Sequence, residues 1–253
     1  YRDRAIYFGD PDFVKVPLDL LLNPSYAAGL RASINPRRAT PSDFLPGVGA
    51  APQRPQTTHF SIIDREGNLA AVTQTVNLPF GNGLVVPGTG FLLNNEMDDF
   101  SAKPGVPNAF GLVGEDANAI APGKRPLSSM TPSILRGNDR VAVLGTPGGS
   151  RITSMVLLAL VALMDGATAQ EAVALPRFHH QYLPDEISAE AKAFDASEVA
   201  ALQQRGHTVT VATRTWGNMY IASWDLRSGA VGTGADPRWE GEGRGASSGG
   251  IHR

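Results

Sequence analysis

The sequence predicts an α+β protein built of stacked helix and strand layers, and three observations support this. β-Branched and aromatic segments with turn chemistry between them begin abruptly at residue 57. Extended helical patterns follow only in the second half, and short strand patterns close the chain.

Residues 1–56 are rich in proline and arginine and contain one helical pattern, at 25–34. Residues 40–56 carry Pro41, Pro46, Pro52 and Pro55 with Gly47 and Gly49, which predicts an exposed, irregular linker. Residues 57–64 and 69–76 read as a β-hairpin around the turn Arg65-Glu66-Gly67-Asn68. Short strands are expected at 84–86, 90–94 and 140–145. The stretch 98–132 is a long loop punctuated by proline and glycine, and loops of that length inside a domain tend to be functional. Residues 152–164 and 169–174 are predicted helices, the first apolar nearly all round and so expected to be buried between layers. Asp195-Ala196-Ser197-Glu198 reads as a capping box opening a helix that Gly206 ends. Strands are expected at 207–213, 219–224 and 230–232, and a glycine- and serine-rich mobile tail after about 240.

The 253 residues are enough for one large domain or two small ones. A net charge of −2, with no basic block, gives no electrostatic case for nucleic acid. Cysteine is absent, which excludes disulfides, thiolate metal sites and a cysteine nucleophile. The longest strongly apolar run, 155–164, is too short to span a bilayer. The chain opens at Tyr1 without an initiator methionine, so the protein's own N-terminus is expected to lie elsewhere and the lack of a signal peptide excludes nothing.

Four segments carry possible chemistry. In Gln56-Thr57-Thr58-His59, a linker runs directly into a strand beginning with threonine, as an N-terminal nucleophile hydrolase requires. Once the bond after Gln56 is cut, the free α-amine of Thr57, with a reference pKa of about 7.7–8, can accept the proton of its own hydroxyl. Thr57 and Thr58 equally suit a plain strand start. In Gly145-Thr146-Pro147-Gly148-Gly149-Ser150-Arg151, adjacent glycines before a helix suit an oxyanion hole, or an ordinary tight turn. The carboxylates of Asn94-Asn95-Glu96-Met97-Asp98-Asp99 suit a substrate ammonium or a solvated acidic loop, without EF-hand spacing. The paired hydroxyls of Lys124-Arg125-Pro126-Leu127-Ser128-Ser129 suit a carboxylate or a simple turn. His179-His180 lacks a carboxylate at metalloprotease spacing and is assigned a structural role, and no metal or cofactor is expected.

Taken in chain order, FGDPDFVKVP, TTHFSIIDREGN, GFLLNNEMDDFSAKPGVPN, GKRPLSSMTPSI, TPGGSRI and PRFHHQYLPDE resemble the γ-glutamyltransferases, also called γ-glutamyl transpeptidases or glutathione hydrolases. The resemblance implies an αββα four-layer sandwich of the N-terminal nucleophile type, made of a large and a small chain cut from one precursor. Residues 1–56 then match the end of the large chain with its linker, and 57–253 the small catalytic chain. Gln56 and Thr57 match the cleavage site and Thr57 the nucleophile. Thr75 matches a hydroxyl bonded to it, and Gly148 and Gly149 the oxyanion hole. Asn77, Glu96 and Asp99 match the residues that hold the α-amino end of the substrate, and Ser128 and Ser129 the binders of its α-carboxylate.

A glutathione-like γ-glutamyl donor, water or an amino acid as acceptor, the remainder of the large chain as partner, and a periplasmic or secreted location are implied in the same way. Two departures bear on these expectations. The family's arginine for the substrate carboxylate falls before Tyr1, and Phe110 stands where some bacterial members have a tyrosine gate. An intact bond after Gln56 would leave Thr57 without its free amine. The alternatives are a related acylase cutting glutaryl or other side chains from β-lactams, and a non-catalytic γ-glutamyl-binding protein on the same fold.

Overall fold

A computed structural model describes residues 1–42 and 57–245. The first segment forms α1 (Arg2–Tyr7), α2 (Leu18–Leu21) and α3 (Pro24–Ala32). The helix expected at 25–34 is α3, started by an Asn23 cap that accepts from Ser25 and by Pro24 at its first position. Of the linker expected at 40–56, Thr40 and Pro41 are exposed and Ser42 is buried; positions 43–56, Gln56 among them, lie outside the described residues.

The predicted hairpin is present as β1 (Thr57–Ile63) and β2 (Leu69–Thr75), antiparallel from Thr57↔Thr75 to Ile63↔Leu69. Its turn is fastened by Asp64, whose carboxylate accepts from the backbone and side chain of Asn68. Then come β3 (Ser133–Arg136), β4 (Arg140–Gly145), α4 (Ile152–Met164) and α5 (Ala169–Ala174). The chain closes with β5 (Phe178–His179), β6 (Ile187–Ala189), α6 (Ala196–Gln204), β7 (Val209–Val211), β8 (Tyr220–Asp225) and β9 (Val231–Ala235). Both halves of the Asp195/Glu198 capping box form.

The strands make a four-stranded sheet in the order β3-β4-β8-β9 and a three-stranded sheet β5-β6-β7 beside the hairpin. Alternation along β4 assigns its two faces. Ala142 and Leu144 join Ile152, Met155, Val156 and Ile221 in the apolar core under α4 and α5. Gly145, on the opposite face, lies against His59 of β1: a Cβ there would sit 2.3 Å from the imidazole ring. Helices therefore cover one face of the sheet and the hairpin the other, an α-β-β stack. On the outer side of the hairpin Phe60 and Ile62 remain exposed.

Two expectations need correction. The helix at 152–164 is covered on one side only: Ile152, Met155, Val156, Ala159 and Leu163 are buried at helical spacing, whereas Leu157 and Met164 are 60% and 72% exposed. High overall apolarity hid that stripe. The strands expected at 84–86 and 90–94 shrink to one bridge, Val85↔Leu92, because Gly88 and Gly90, both at positive φ, bend the chain before a ladder can extend. At the start of the stretch expected to be a tail, the Glu240 carbonyl accepts from Tyr220 Oη at 2.8 Å; residues 246–253 lie outside the described residues.

Residues 1–42 wrap the rest. Glu115 N–H donates to the Ala5 carbonyl, Ala39 N–H to that of Arg205, and Ser42 N–H to Asp185. Behind the main sheet a buried charge network joins β9 to the segment before β5. Arg177 meets Asp236 at 2.5 Å, and Arg238 meets Glu190 at 2.7 Å and Asp236 at 3.1 Å. Asp236 also accepts the Met219 N–H. Removing one member leaves the others charged in a low-dielectric interior. Asp236→Ala is expected to destabilise the fold by about 3–5 kcal/mol, read as a lowered urea midpoint; an unchanged midpoint would refute this.

Candidate active site

Thr57 opens β1 directly opposite Thr75 at the end of β2, so both side chains share a face. The Thr57 hydroxyl donates to Thr75 Oγ1 at 3.0 Å. Thr75 Oγ1 in turn accepts the N–H of Asn77 at 2.8 Å. Asn77 sits at φ 73°, a left-handed conformation that asparagine tolerates better than most residues, and it turns the chain sharply out of the strand. Its buried side chain donates to the Asn95 carbonyl at 3.1 Å, while Asn95 Oδ1 accepts from Leu78 N–H at 2.9 Å. The end of β2 is thereby stitched to the next segment, whose 3₁₀ turn Glu96–Asp99 brings two carboxyl groups together.

The Glu96 and Asp99 carboxyl groups act on each other and favour holding one proton between them. Burial, then the charge of Glu96 and the bond to it, push Asp99 up to about 7; the Arg4 guanidinium opposes this. Burial also raises Glu96. Glu96 Oε1 is buried without a hydrogen-bond partner. A half-protonated pair with an unanswered acceptor suits a cationic N–H donor such as an ammonium.

The serine loop reaches this pair through Asn118. Its side chain donates to the Asp99 carbonyl at 2.7 Å and accepts from Leu127 N–H at 3.0 Å. Arg125 locks the loop further through three bonds to Asp10, at 2.6–3.0 Å, which hold the Asp10 carboxyl well below the usual carboxylate range. Ser128 Oγ accepts from Met130 N–H at 3.1 Å, and Ser129 Oγ from Arg4 Nη2 at 3.2 Å.

Gly148 and Gly149 follow the end of β4, beyond the contact between Gly145 and His59. Their φ values of 154° and 58° are open to glycine and strained for other residues, and a Cβ on Gly148 would meet Met155 at 2.3 Å. Phe110 is buried, and its carbonyl accepts from Gln181 Nε2 at 3.2 Å, so backbone rather than a ring hydroxyl fastens that loop. His59 bonds Thr73 and Ser61 and is pushed down to about 4 by burial, so near neutral pH it is an uncharged spacer. His179 is likewise buried, bonded to Ser154 and Gln181. No group of three or more His, Cys, Asp or Glu side chains that could hold a metal occurs among the described residues.

Bonds thus connect Thr57, Thr75 and Asn77 and run through Asn95 to the turn of Glu96 and Asp99, whose backbone Asn118 ties to the loop of Ser128 and Ser129; Gly148 and Gly149 follow the end of β4. Asn95, Asn118 and Arg4 were missed. Asn95 lay within the acidic motif, but asparagine and a lone arginine in a short helix carry no periodic or spacing signal.

A family model described as gamma-glutamyltranspeptidase matches residues 1–246. The chain belongs to the gamma-glutamyltranspeptidase family. It is 50% identical over 214 residues to the glutathione hydrolase proenzyme of Escherichia coli K12, covering 83% of this chain and 37% of that protein, so it spans well under half of this relative's length. Among solved structures it is similar to the gamma-glutamyltranspeptidase of Pseudomonas nitroreducens complexed with L-DON, at 47% identity and TM-score 0.69, over 75% of this chain and all of that one. A cephalosporin acylase from Bacillus halodurans is similar at 26% identity and TM-score 0.72, over 93% of this chain and 42% of that one. The α+β architecture of the N-terminal nucleophile type is that of these family structures.

The raised carboxyl has a sign. A folded-state pKa above the unfolded value of about 3.9 means the folded protein holds that proton more tightly, so stability falls as pH rises from about 4 towards 7. A carboxyl-carbon NMR titration is expected to find one apparent pKa of the pair near 7 and a lower one for Asp99 in Glu96→Gln; ionisation of both groups below pH 5 would refute the shared proton.

Proposed function

We propose that this chain carries the catalytic apparatus of an autoprocessing γ-glutamyltransferase and hydrolase acting on glutathione-like donors. The observation that carries the reading is the Thr57–Thr75 hydroxyl pair at the first position of β1, joined by side-chain and backbone bonds to a carboxyl pair suited to an ammonium. Residues 1–56 are the end of the large chain and 57–253 the small catalytic chain. In support, the solved Pseudomonas nitroreducens chain is covered in full by a share of this chain close to that of residues 57–246.

Maturation begins when Thr57 Oγ1 attacks the carbonyl of Gln56. The peptide nitrogen takes up a proton and leaves as the α-amine of Thr57, and water hydrolyses the resulting ester. Thr75, within hydrogen-bond distance, fixes the direction of the Thr57 hydroxyl. In turnover, Asn77, Glu96 and Asp99 hold the α-ammonium of the donor, and Ser128 and Ser129 its α-carboxylate. Gripping the α-carbon at both ends leaves the γ-amide at Thr57. The α-amine accepts the hydroxyl proton as oxygen attacks, the N–H groups of Gly148 and Gly149 stabilise the oxyanion, and the proton passes to the departing amine. Water or the amine of an acceptor amino acid then releases the γ-glutamyl ester.

The exposed Phe60 and Ile62 on the hairpin favour a further helix layer from the remainder of the large chain, which would complete the four-layer sandwich. No helix among the described residues is long and apolar enough to cross a membrane. A periplasmic or secreted location is proposed from the family alone.

The structural likeness to a cephalosporin acylase keeps a second reading in view, cleavage of a glutaryl amide. A glutaryl group lacks the α-ammonium that the Glu96–Asp99 pair would neutralise. The full-length protein is expected to give two chains by intact mass, the smaller starting at Thr57, and to hydrolyse γ-glutamyl-p-nitroanilide faster than a glutaryl anilide. Thr57→Ala should remain one chain without turnover. Faster glutaryl cleavage would favour the acylase, and turnover by Thr57→Ala would end both readings. Ser129→Ala is expected to raise KM for the γ-glutamyl substrate by about tenfold, as the loss of a hydrogen bond to a charged group implies.

A further inference from the structure

Arg4 lies in α1, outside every motif that supports the reading above, yet its side chain enters the site. Its Nη2 donates to Ser129 Oγ at 3.2 Å, and a small cavity lined by Arg4, Asp99, Asn118 and Leu127 separates α1 from the acidic turn. Among the described residues no carboxylate lies within ion-pair distance of its guanidinium, although much of the side chain is withdrawn from water. A largely buried cation without a paired anion is costly and needs a compensating interaction.

The placement is firmly held. Glu115 N–H donates to the Ala5 carbonyl at 3.1 Å, Tyr26 bonds Asp3 at 3.0 Å, and Asp10 receives Arg125 from the serine loop. Gly9 passes so close to Ala117 that a Cβ would sit 2.0 Å from its carbonyl oxygen. The same loop that carries Ser129 is therefore clamped to the segment that carries Arg4.

We propose that Arg4 is a positioning residue of the amino-acid pocket, holding the Ser129 hydroxyl in place and setting its positive charge towards the Glu96–Asp99 carboxyl pair. This rests on reading that pocket as the γ-glutamyl site. Because the guanidinium donates to Ser129 Oγ, the serine O–H is left to donate to a substrate carboxylate. The same charge favours the ionised form of Asp99, which an incoming ammonium requires. The charged groups acting on Asp99 are Glu96 and Asp98 on its own turn and Arg4 from α1; Tyr1 acts on Arg4 from the same helix end. A segment before the cleavage site would thus tune binding in the chain after it.

The test compares wild type, Arg4→Gln and Arg4→Lys in the autoprocessed full-length protein. The readouts are γ-glutamyl-p-nitroanilide hydrolysis and competitive inhibition by L-glutamate across pH 5–9. In Arg4→Gln, KM and the L-glutamate Ki are expected to rise about tenfold with kcat within about threefold, since ground-state binding is lost. The pH midpoint for L-glutamate binding should move up by about half a unit or more. Arg4→Lys should restore the midpoint but only part of the affinity, because an ammonium keeps the charge without the planar fork.

Unchanged KM, Ki and midpoint in Arg4→Gln would overturn the proposal. So would losses confined to processing or soluble yield, the mark of a purely structural arginine. Should Arg4→Gln fail to mature, Arg4→Lys decides: a wild-type midpoint with weakened L-glutamate supports the proposal, and wild-type affinity refutes it. A wild-type protein that matures but leaves γ-glutamyl-p-nitroanilide untouched would remove the γ-glutamyl reading itself, and the role of Arg4 with it.

Discussion

The pairing of Thr57 with Thr75 is the constraint on which the site depends. Side chains alternate along a strand, so a one-residue slip in the β1–β2 register would turn the Thr57 hydroxyl to the outer face. The register is held at both ends, by the Asp64–Asn68 turn and by His59, whose ring bonds Thr73 across the pair and Ser61 along the strand. His59 fits there because residue 145 of β4 has no side chain. One glycine in the main sheet thus helps fix how the hairpin lies over it.

Two kinds of connection run outward from the pair. Along the chain, Asn77 turns out of β2 and hands its bonds to Asn95, which places the Glu96–Asp99 turn. Across the chain, Asn118 ties the backbone of Asp99 to the loop of Ser128 and Ser129, and Arg125 ties that loop to Asp10. Amide side chains can donate and accept at once, so they join irregular segments that have no ladder of their own. The long 98–132 stretch is ordered in this way with only short 3₁₀ turns inside it.

Much of this was legible in the sequence where the signal is local. The hairpin, the Asp195 capping box, β4, α5 and the closing strands follow from period, turn chemistry and caps. The short strands β3, β5 and β6 were missed: each is two to four residues long, too short for an alternating pattern to stand out. The exposed flank of α4 was misread because apolar residues on both sides conceal which side is covered. For the candidate site, family motifs pointed to Thr57, Glu96, Asp99 and the serine pair, but only coordinates could reveal that Asn118 bonds the backbone of Asp99 and Leu127 and that Arg4 bonds Ser129. Those contacts span sequence separations with no pattern to read.

The central claim is that Thr57 becomes a chain end and then carries the acyl group. Acid-quenching the full-length protein during turnover of a γ-glutamyl donor, followed by peptide mass mapping, tests it most directly. The account requires a γ-glutamyl adduct on the peptide that begins at Thr57. An adduct on a different residue, or turnover by a chain still continuous through Gln56 and Thr57, would contradict it.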